Sequence, residues 1–326
     1  MLPHQKVTYL PFLELNTIEA IATEFSLGKI LAKPENNTSF NESFKLETET
    51  GTYQVKSYVK SVEDPEHFAP LIQREIDFTK YLEINKMPVQ HHLGFQPFLY
   101  QGKLTTITTY LEGERLAAGL QSVEKIAEIG NLIAKLHIES TTYGTAGAAY
   151  EQRNSFRDRV ESNLETIEKL LSLPNTDFKP LLDQYNELRE LRQRNDLTIP
   201  RGLVHGEITF VHLIKHNGSY SILDFEGIKF VPFIFDFGQT LITMAYDGKV
   251  LHTDLVTAFL KSYQESRALT VKEKALIPSE LIYNFLHKLE WRMTAMLNNP
   301  TYIDSVKNSI LSARSFIDQV NALQID

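Results

Sequence analysis

Stretches of alternating apolar and polar residues mark the first third of the chain, and apolar positions every third or fourth residue dominate after it. "SFKLETETGTYQVKSYV" (43–59) alternates apolar and polar residues on both sides of Thr50-Gly51, which predicts a β-hairpin. "FLYQGKLTTITTYLEG" (98–113) predicts a second one, turning at Gly102 and running out through Tyr110 to Gly113. Two helices are expected among these strands. The first is "NTIEAIATEFSL" (16–27), with Asn16 as N-cap and Ile18, Ile21, Ala22 and Phe25 at helical spacing. The second is "FAPLIQREIDFTKYLEINK" (68–86), stopped just before Pro88.

Beyond Gly113 the helical period dominates. "SVEKIAEIGNLIAKLHIES" (122–140) keeps Val123, Ile126, Ala127, Leu132, Ile133 and Leu136 near one face. "SFRDRVESNLETIEKLLSL" and "FKPLLDQYNELRELRQRN" read as an antiparallel helix pair around "PNTD", each half apolar and half charged. Pro200 closes that region, residues 203–227 read as loop–hairpin–loop, and the last eighty or so residues return to helix, strongest in "SELIYNFLHKLEWRMTAML" (279–297). The order predicts an α+β chain with a small antiparallel β-rich lobe over 1–109, a connector at 110–113 and a mainly helical lobe over 114–326.

Composition narrows the classes. The chain has 326 residues, 42% hydrophobic and 23% charged, which suits a soluble protein with a large core. A net charge of -8 without a basic stripe argues against a nucleic-acid partner. The absence of cysteine excludes disulfides, thiolate zinc sites and Cys nucleophiles. The N-terminal residues show no basic segment followed by an apolar core, and no apolar run approaches the roughly 20 residues of a membrane span, so a cytoplasmic location is expected.

Candidate chemistry concentrates in "LVHGEITFVHLIKHNGSYSILDFEG" (203–227), where Glu207 and Asp224 sit on loops at either end of the predicted hairpin. Phosphoryl transfer needs an acid to accept the proton of an attacking hydroxyl and oxygen ligands for Mg²⁺ on the nucleotide phosphates. Asp224, at the end of the apolar run Tyr220–Leu223, is placed to be such a ligand. Upstream, Lys56 lies mid-strand and Glu75 lies in the first long helix, the pair that a phosphoryl-transfer lobe uses to neutralise phosphates and to hold the ammonium. The loop "AKPENNTSFNESF" has no glycine, although Asn41 and Ser43 can donate hydrogen bonds from their side chains. His212 and His216 lie four apart in predicted hairpin rather than helix, a poor spacing for zinc.

On these residues the chain resembles the aminoglycoside phosphotransferase, choline kinase and homoserine kinase superfamily, most of all its homoserine-kinase-like branch. "HGEITFVH" and "ILDFEG" fall on the family's His-Gly-Asp, Asn and Asp-Phe-Glu frame, "FIFDFGQTL" on its bracing acid, and "TTYLEGERL" and "IGNLIAKLH" on the connector and the helix after it. The resemblance implies a two-lobed protein-kinase-like fold, ATP with Mg²⁺ or Mn²⁺, and a small-molecule hydroxyl acceptor of unknown identity. It implies Glu207 as base with His205 beside it, Asp224 and His212 as metal ligands, and Asp236 as the loop's structural brace. Lys56, Glu75, Tyr110, Asn41 and Ser43 would bind nucleotide.

Three departures fall in the chemistry. Glu207 adds a methylene to the base, His212 puts an imidazole where Mg²⁺ wants oxygen, and the phosphate loop lacks glycine. An ATP-dependent phosphotransferase, a catalytically impaired pseudokinase that binds a nucleotide or a partner, and a purely structural interaction protein therefore all stay open. The helical lobe, over 150–195 and 280–300, is expected to build the acceptor pocket, with Trp291 and Arg292 as candidates to touch a substrate.

Overall fold

The computed structural model of the protein describes residues 12–32, 36–38, 41–144, 160, 162–193, 198–216 and 218–325. Its contacts divide the chain into two compact units, one of residues 1–114 with 216–226 and one of 115–215 with 227–326. The sequence pattern assigned all of 203–227 to the helical lobe. The segment 216–226 instead groups with the strands because its bonds are made there: Ile222 N–H donates to the Pro88 carbonyl at 2.9 Å, and Phe225 meets Phe78 edge to face.

The first unit is built on a five-stranded antiparallel sheet in the order β1 (Asn36–Thr38), β2 (Glu42–Thr48), β3 (Gly51–Ser57), β5 (Lys103–Thr109), β4 (Phe98–Tyr100). Thr48 pairs with Gly51, so the first hairpin turns over 49–50, one residue earlier than the pattern suggests. Gln101 and Gly102 turn the second with φ of 50° and 76°, the mirror-image turn whose twist suits two strands. Phe44, Leu46, Val55 and Ile107 bury one face of the sheet with Ile21 and Leu27 around helix α1 (Ile18–Glu24). Thr17 caps α1 through its hydroxyl, in place of the expected Asn16, because its Oγ1 accepts from the Ala20 N–H at 3.0 Å.

Leu104 and Tyr58 stand on the opposite parity and pack with Ala69, Ile72 and Ile76 of α2 (Pro65–Ile84). This helix starts three residues before the expected 68, since Asp64 caps it and Pro65 occupies the first helical position. Lys56, next in β3 after buried Val55, shares the α2 face. Asn36–Thr38 pairs with Thr38↔Glu42 and Asn36↔Phe44, so strand structure replaces part of the expected polar loop, while 33–35 and 39–40 lie outside the described residues.

A short strand β6 (Glu114–Arg115) precedes the helices of the second unit. These are α3 (Val123–Tyr143), α4 (Leu164–Leu171), α5 (Asn175–Gln193), α6 (Phe235–Met244), α7 (Thr253–Ser266), α8 (Val271–Asn298) and α9 (Ile303–Asn321). Helices α4 and α5 fall in the two segments expected to be helical, of which residues 155–159, 161 and 194–195 lie outside the described ones. Gly130 lets α3 and α7 touch backbone to backbone, since a Cβ there would stand 2.5 Å from the Phe259 carbonyl oxygen. Strand β7 (Arg201–Val204) runs antiparallel to β10 (Lys229–Pro232), with Val204 opposite Lys229. Between them the chain forms β8 (Leu213–His216) and β9 (Ser219–Ile222), the two strands of the hairpin expected within 203–227. No helix among the described residues is long and apolar enough to cross a membrane.

Candidate active site

In the first unit a single ammonium gathers two carboxylates. Lys56 Nζ lies 2.5 Å from Asp224 Oδ1 and 2.8 Å from Glu226 Oε2. Asn41 Nδ2 donates to Glu226 Oε2 at 2.5 Å, and its Oδ1 accepts from the Val59 N–H at 3.3 Å. Asp224 adopts φ +66°, a left-handed conformation that Asp tolerates better than most residues. Burial opposes the charge on Lys56, yet Tyr58, Glu75, Asp224 and Glu226 together hold its pKa well above the ordinary lysine value. The ammonium therefore stays charged.

Glu75 takes a different partner from the expected one. Its Oε2 accepts from the Tyr58 hydroxyl at 2.7 Å, while the ion pairs of Lys56 run to Asp224 and Glu226. Burial pushes the Glu75 carboxyl up to about 7, against the pull of Lys56 and the Tyr58 hydroxyl. Lys56 also lies over the Tyr58 ring, 5.0 Å from its centroid, so Tyr58 links the two residues. Ser43 is directly opposite Lys56 in the β2–β3 register. Tyr110 leaves β5 with its N–H on the Thr52 carbonyl and the Lys45 ammonium 5.0 Å from its ring centroid.

In the second unit the loop His205-Gly206-Glu207 is fixed from below. Asp236, at the start of α6, is fully buried and accepts the His205 N–H at 3.1 Å and the Gly206 N–H at 2.7 Å. His137 Nε2 lies 3.0 Å from the same carboxylate, its Nδ1 lies 2.8 Å from the Tyr263 hydroxyl, and Arg267 donates to that hydroxyl at 2.9 Å. The donors fit one assignment: Arg267 N–H to Tyr263, Tyr263 O–H to His137 Nδ1, His137 Nε2–H to Asp236. Arg267 also pairs with buried Glu273 at 2.8 Å. Burial lowers the His137 pKa and keeps the ring neutral. Burial works against the Asp236 charge, but the hydrogen bond from His137 and the Gly206 N–H outweigh it and hold the carboxyl below the usual range. Gly206 has φ +87°, and a Cβ there would stand 2.6 Å from the Gly227 carbonyl oxygen.

The other expected residues fall as follows. His205 is 1% exposed, and its Nδ1 lies 3.3 Å from the Glu207 N–H, so its ring supports the loop from within. Glu207 is exposed and lines a cavity of about 1010 Å³ contained in the second unit. His212 Nδ1 lies 3.3 Å from the Thr209 N–H and 3.2 Å from its hydroxyl, closing a reciprocal cap. With Nδ1 accepting, a neutral ring carries its proton on Nε2 and offers no lone pair to a metal. Among the described residues no group of three or more His, Cys, Asp and Glu is placed to hold a metal ion. Trp291 packs edge-on against Tyr302 and Arg292 donates to Ser309, and neither lines the cavity.

Glu226, Tyr58, Tyr263 and Arg267 are site residues that the sequence reading missed. Only Glu226 carried a signal, as the second acid of Asp-Phe-Glu.

The model of the phosphotransferase enzyme family APH matches residues 35–269. The chain belongs to that family. Among solved structures it is similar to the amicoumacin kinase hAmiN in complex with AMP-PNP, Ca²⁺ and Ami, with a TM-score of 0.71 and 14% identity over 94% of this chain and 96% of that one. Curated relatives include a tRNA pseudouridine synthase B of Mycoplasma mobile, 27% identical over 46% of this chain and 54% of the relative. A homoserine kinase of Polaromonas naphthalenivorans is 28% identical over 47% and 48%. The chain thus spans about half the length of these two relatives. The mixed α+β architecture is the protein-kinase-like fold of the structural neighbours.

Proposed function

We propose that this phosphotransferase-family chain moves the γ-phosphoryl group of ATP onto the hydroxyl of a small molecule. The observation that carries the reading is the cluster in which Lys56 meets Asp224 and Glu226 at 2.5 and 2.8 Å. Both carboxylates offer hard oxygen donors, a set that fits Mg²⁺, or Mn²⁺, better than the imidazole of His212 does. Bound there, the ion would offset charge on the nucleotide phosphates. Lys56 then turns from the carboxylates to phosphate oxygens, and Asn41, Ser43 and Tyr110 line the nucleotide. Glu75, with Tyr58, positions Lys56.

Glu207 accepts the proton of the acceptor hydroxyl as that oxygen attacks the γ-phosphorus. A new oxygen–phosphorus bond forms, the bond from the γ-phosphorus to the bridging oxygen breaks, and ADP leaves. His205 and Asp236 hold the loop that carries Glu207 and touch no reacting atom.

A second reading, nucleotide or partner binding without transfer, is favoured by one observation: His212, at the family's metal-binding amide position, has its Nδ1 committed to Thr209. Thermal unfolding with ATP and either Mg²⁺ or Mn²⁺ separates the readings in combination with ADP release. ATP at about 100 times its Kd adds about 2.7 kcal/mol of stability. Transfer predicts a metal-dependent shift, ADP release stimulated by an alcohol, and loss of both in Asp224→Ala. A shift without turnover across a broad alcohol panel supports binding alone. No shift and no turnover rejects both.

A further inference from the structure

The cavity beside Glu207 is charged in one sense. Its described lining carries Arg192, Arg201, Lys229 and Lys272 against Glu207 and Glu280. His287, also in the lining, adds no charge at neutral pH, because burial and then the cations Arg192, Lys229 and Lys288 push it down to about 4. Most of the remaining wall is apolar, with Leu188, Ile199, Val231 and Leu276 among its members.

Arg192 is built into this wall. Its guanidinium carbon lies 3.7 Å from the Phe235 ring centroid and 3.8 Å from that of Tyr283, which fixes the plane of the group between two aromatic faces. Nε is buried and lies 3.2 Å from Glu280 Oε1, a carboxylate that is itself 3% exposed. Among the described residues the two terminal nitrogens donate no hydrogen bond, and the side chain keeps 18% of its exposure. A guanidinium already ordered on one edge, with its terminal donors available, is a receptor for a planar anion, since little side-chain entropy remains to be lost. Burial also pushes Glu280 up to about 7, so its protonation leaves the Arg192 charge less compensated.

We propose that the acceptor is a hydroxylated carboxylate with an apolar body, its carboxylate held by Arg192 and its hydroxyl presented to Glu207. The assignment rests on the transfer reading above and adds the charge class of the substrate. A cationic amino alcohol of the same size would bring its ammonium into a wall with twice as many cations as carboxylates, and it binds poorly.

Three isosteric probes test this by calorimetry: para-hydroxymethylbenzoate, para-aminomethylbenzyl alcohol and the uncharged para-xylylene glycol. The carboxylate is expected to bind at least about tenfold more tightly than the other two, a difference of about 1.4 kcal/mol. Arg192→Gln should abolish the preference, and Arg192→Lys should retain part of it, showing that the effect is not loss of folding. Equal binding, no binding of the carboxylate, or a preference for the amine overturns the assignment. ADP release from ATP and Mg²⁺ with the same probes separates the two claims. Release driven by the amine alone rejects the charge class and leaves transfer standing. Arg192-dependent binding of the carboxylate without release upholds the anion site and rejects transfer.

Discussion

Lys56 is a cation whose neighbours hold it charged, and Glu75 an acid whose surroundings favour its neutral form. The sign for Glu75 follows from its raised pKa. Stability from the buried neutral carboxyl is complete below the unfolded value near 4.3 and is lost as pH rises through about 7. Glu75→Gln should therefore flatten the pH dependence of unfolding between pH 6 and 8, by on the order of 1 kcal/mol relative to the parent chain in urea titrations. An unchanged difference curve would show that Glu75 is already ionised at neutral pH. Asp236 has the opposite sign, with stability present above its unfolded pKa and lost as pH falls through a still lower folded one. Asp236→Ala strips the acceptor from two N–H groups and from His137, and should cost about 3–5 kcal/mol in urea unfolding. Little of this could be read from spacing. Asp236 and His137 were legible because each sits in a recognisable run, but the transfer of Glu75 to Tyr58 depends on which carboxylates reach Lys56 first across 168 positions of chain.

At the level of elements, turns and periods were the readable part. Gly102 and the alternation about it located the second hairpin to the residue, because a mirror-image turn admits few residue types. Helix ends were less legible, since Asn16, Thr17 and Asp64 are all competent caps and packing chooses among them. Arg192 was hidden for another reason. In "LRELRQRN" it reads as one more residue of a charged helix face, and only the aromatic rings of Phe235 and Tyr283 distinguish it. The α3–α7 contact gives a test at this scale. Gly130→Ala places a methyl 2.5 Å from a backbone oxygen that cannot rotate aside, and should cost about 1–3 kcal/mol, read from the shift in thermal midpoint.

At the scale of the molecule, hydrogen exchange locates nucleotide binding without assuming catalysis. ATP with Mg²⁺ should slow exchange in Gly51–Ser57 and across 219–226, and leave Ile303–Asn321 unchanged. Protection confined to the helices would place the nucleotide elsewhere and remove Lys56 from its role.

The division into units also sets an order in time. Strands β1 to β5 leave the ribosome together, but the carboxylates that neutralise Lys56 follow only after residues 115–215 have been made. At about 5–20 residues per second that stretch takes on the order of 5–20 s, during which a half-buried ammonium has no Asp224 or Glu226 to meet. The strand-rich unit of this chain therefore cannot finish as an early, self-sufficient product of synthesis, and a fragment ending at 114 would carry Lys56 without Asp224 and Glu226.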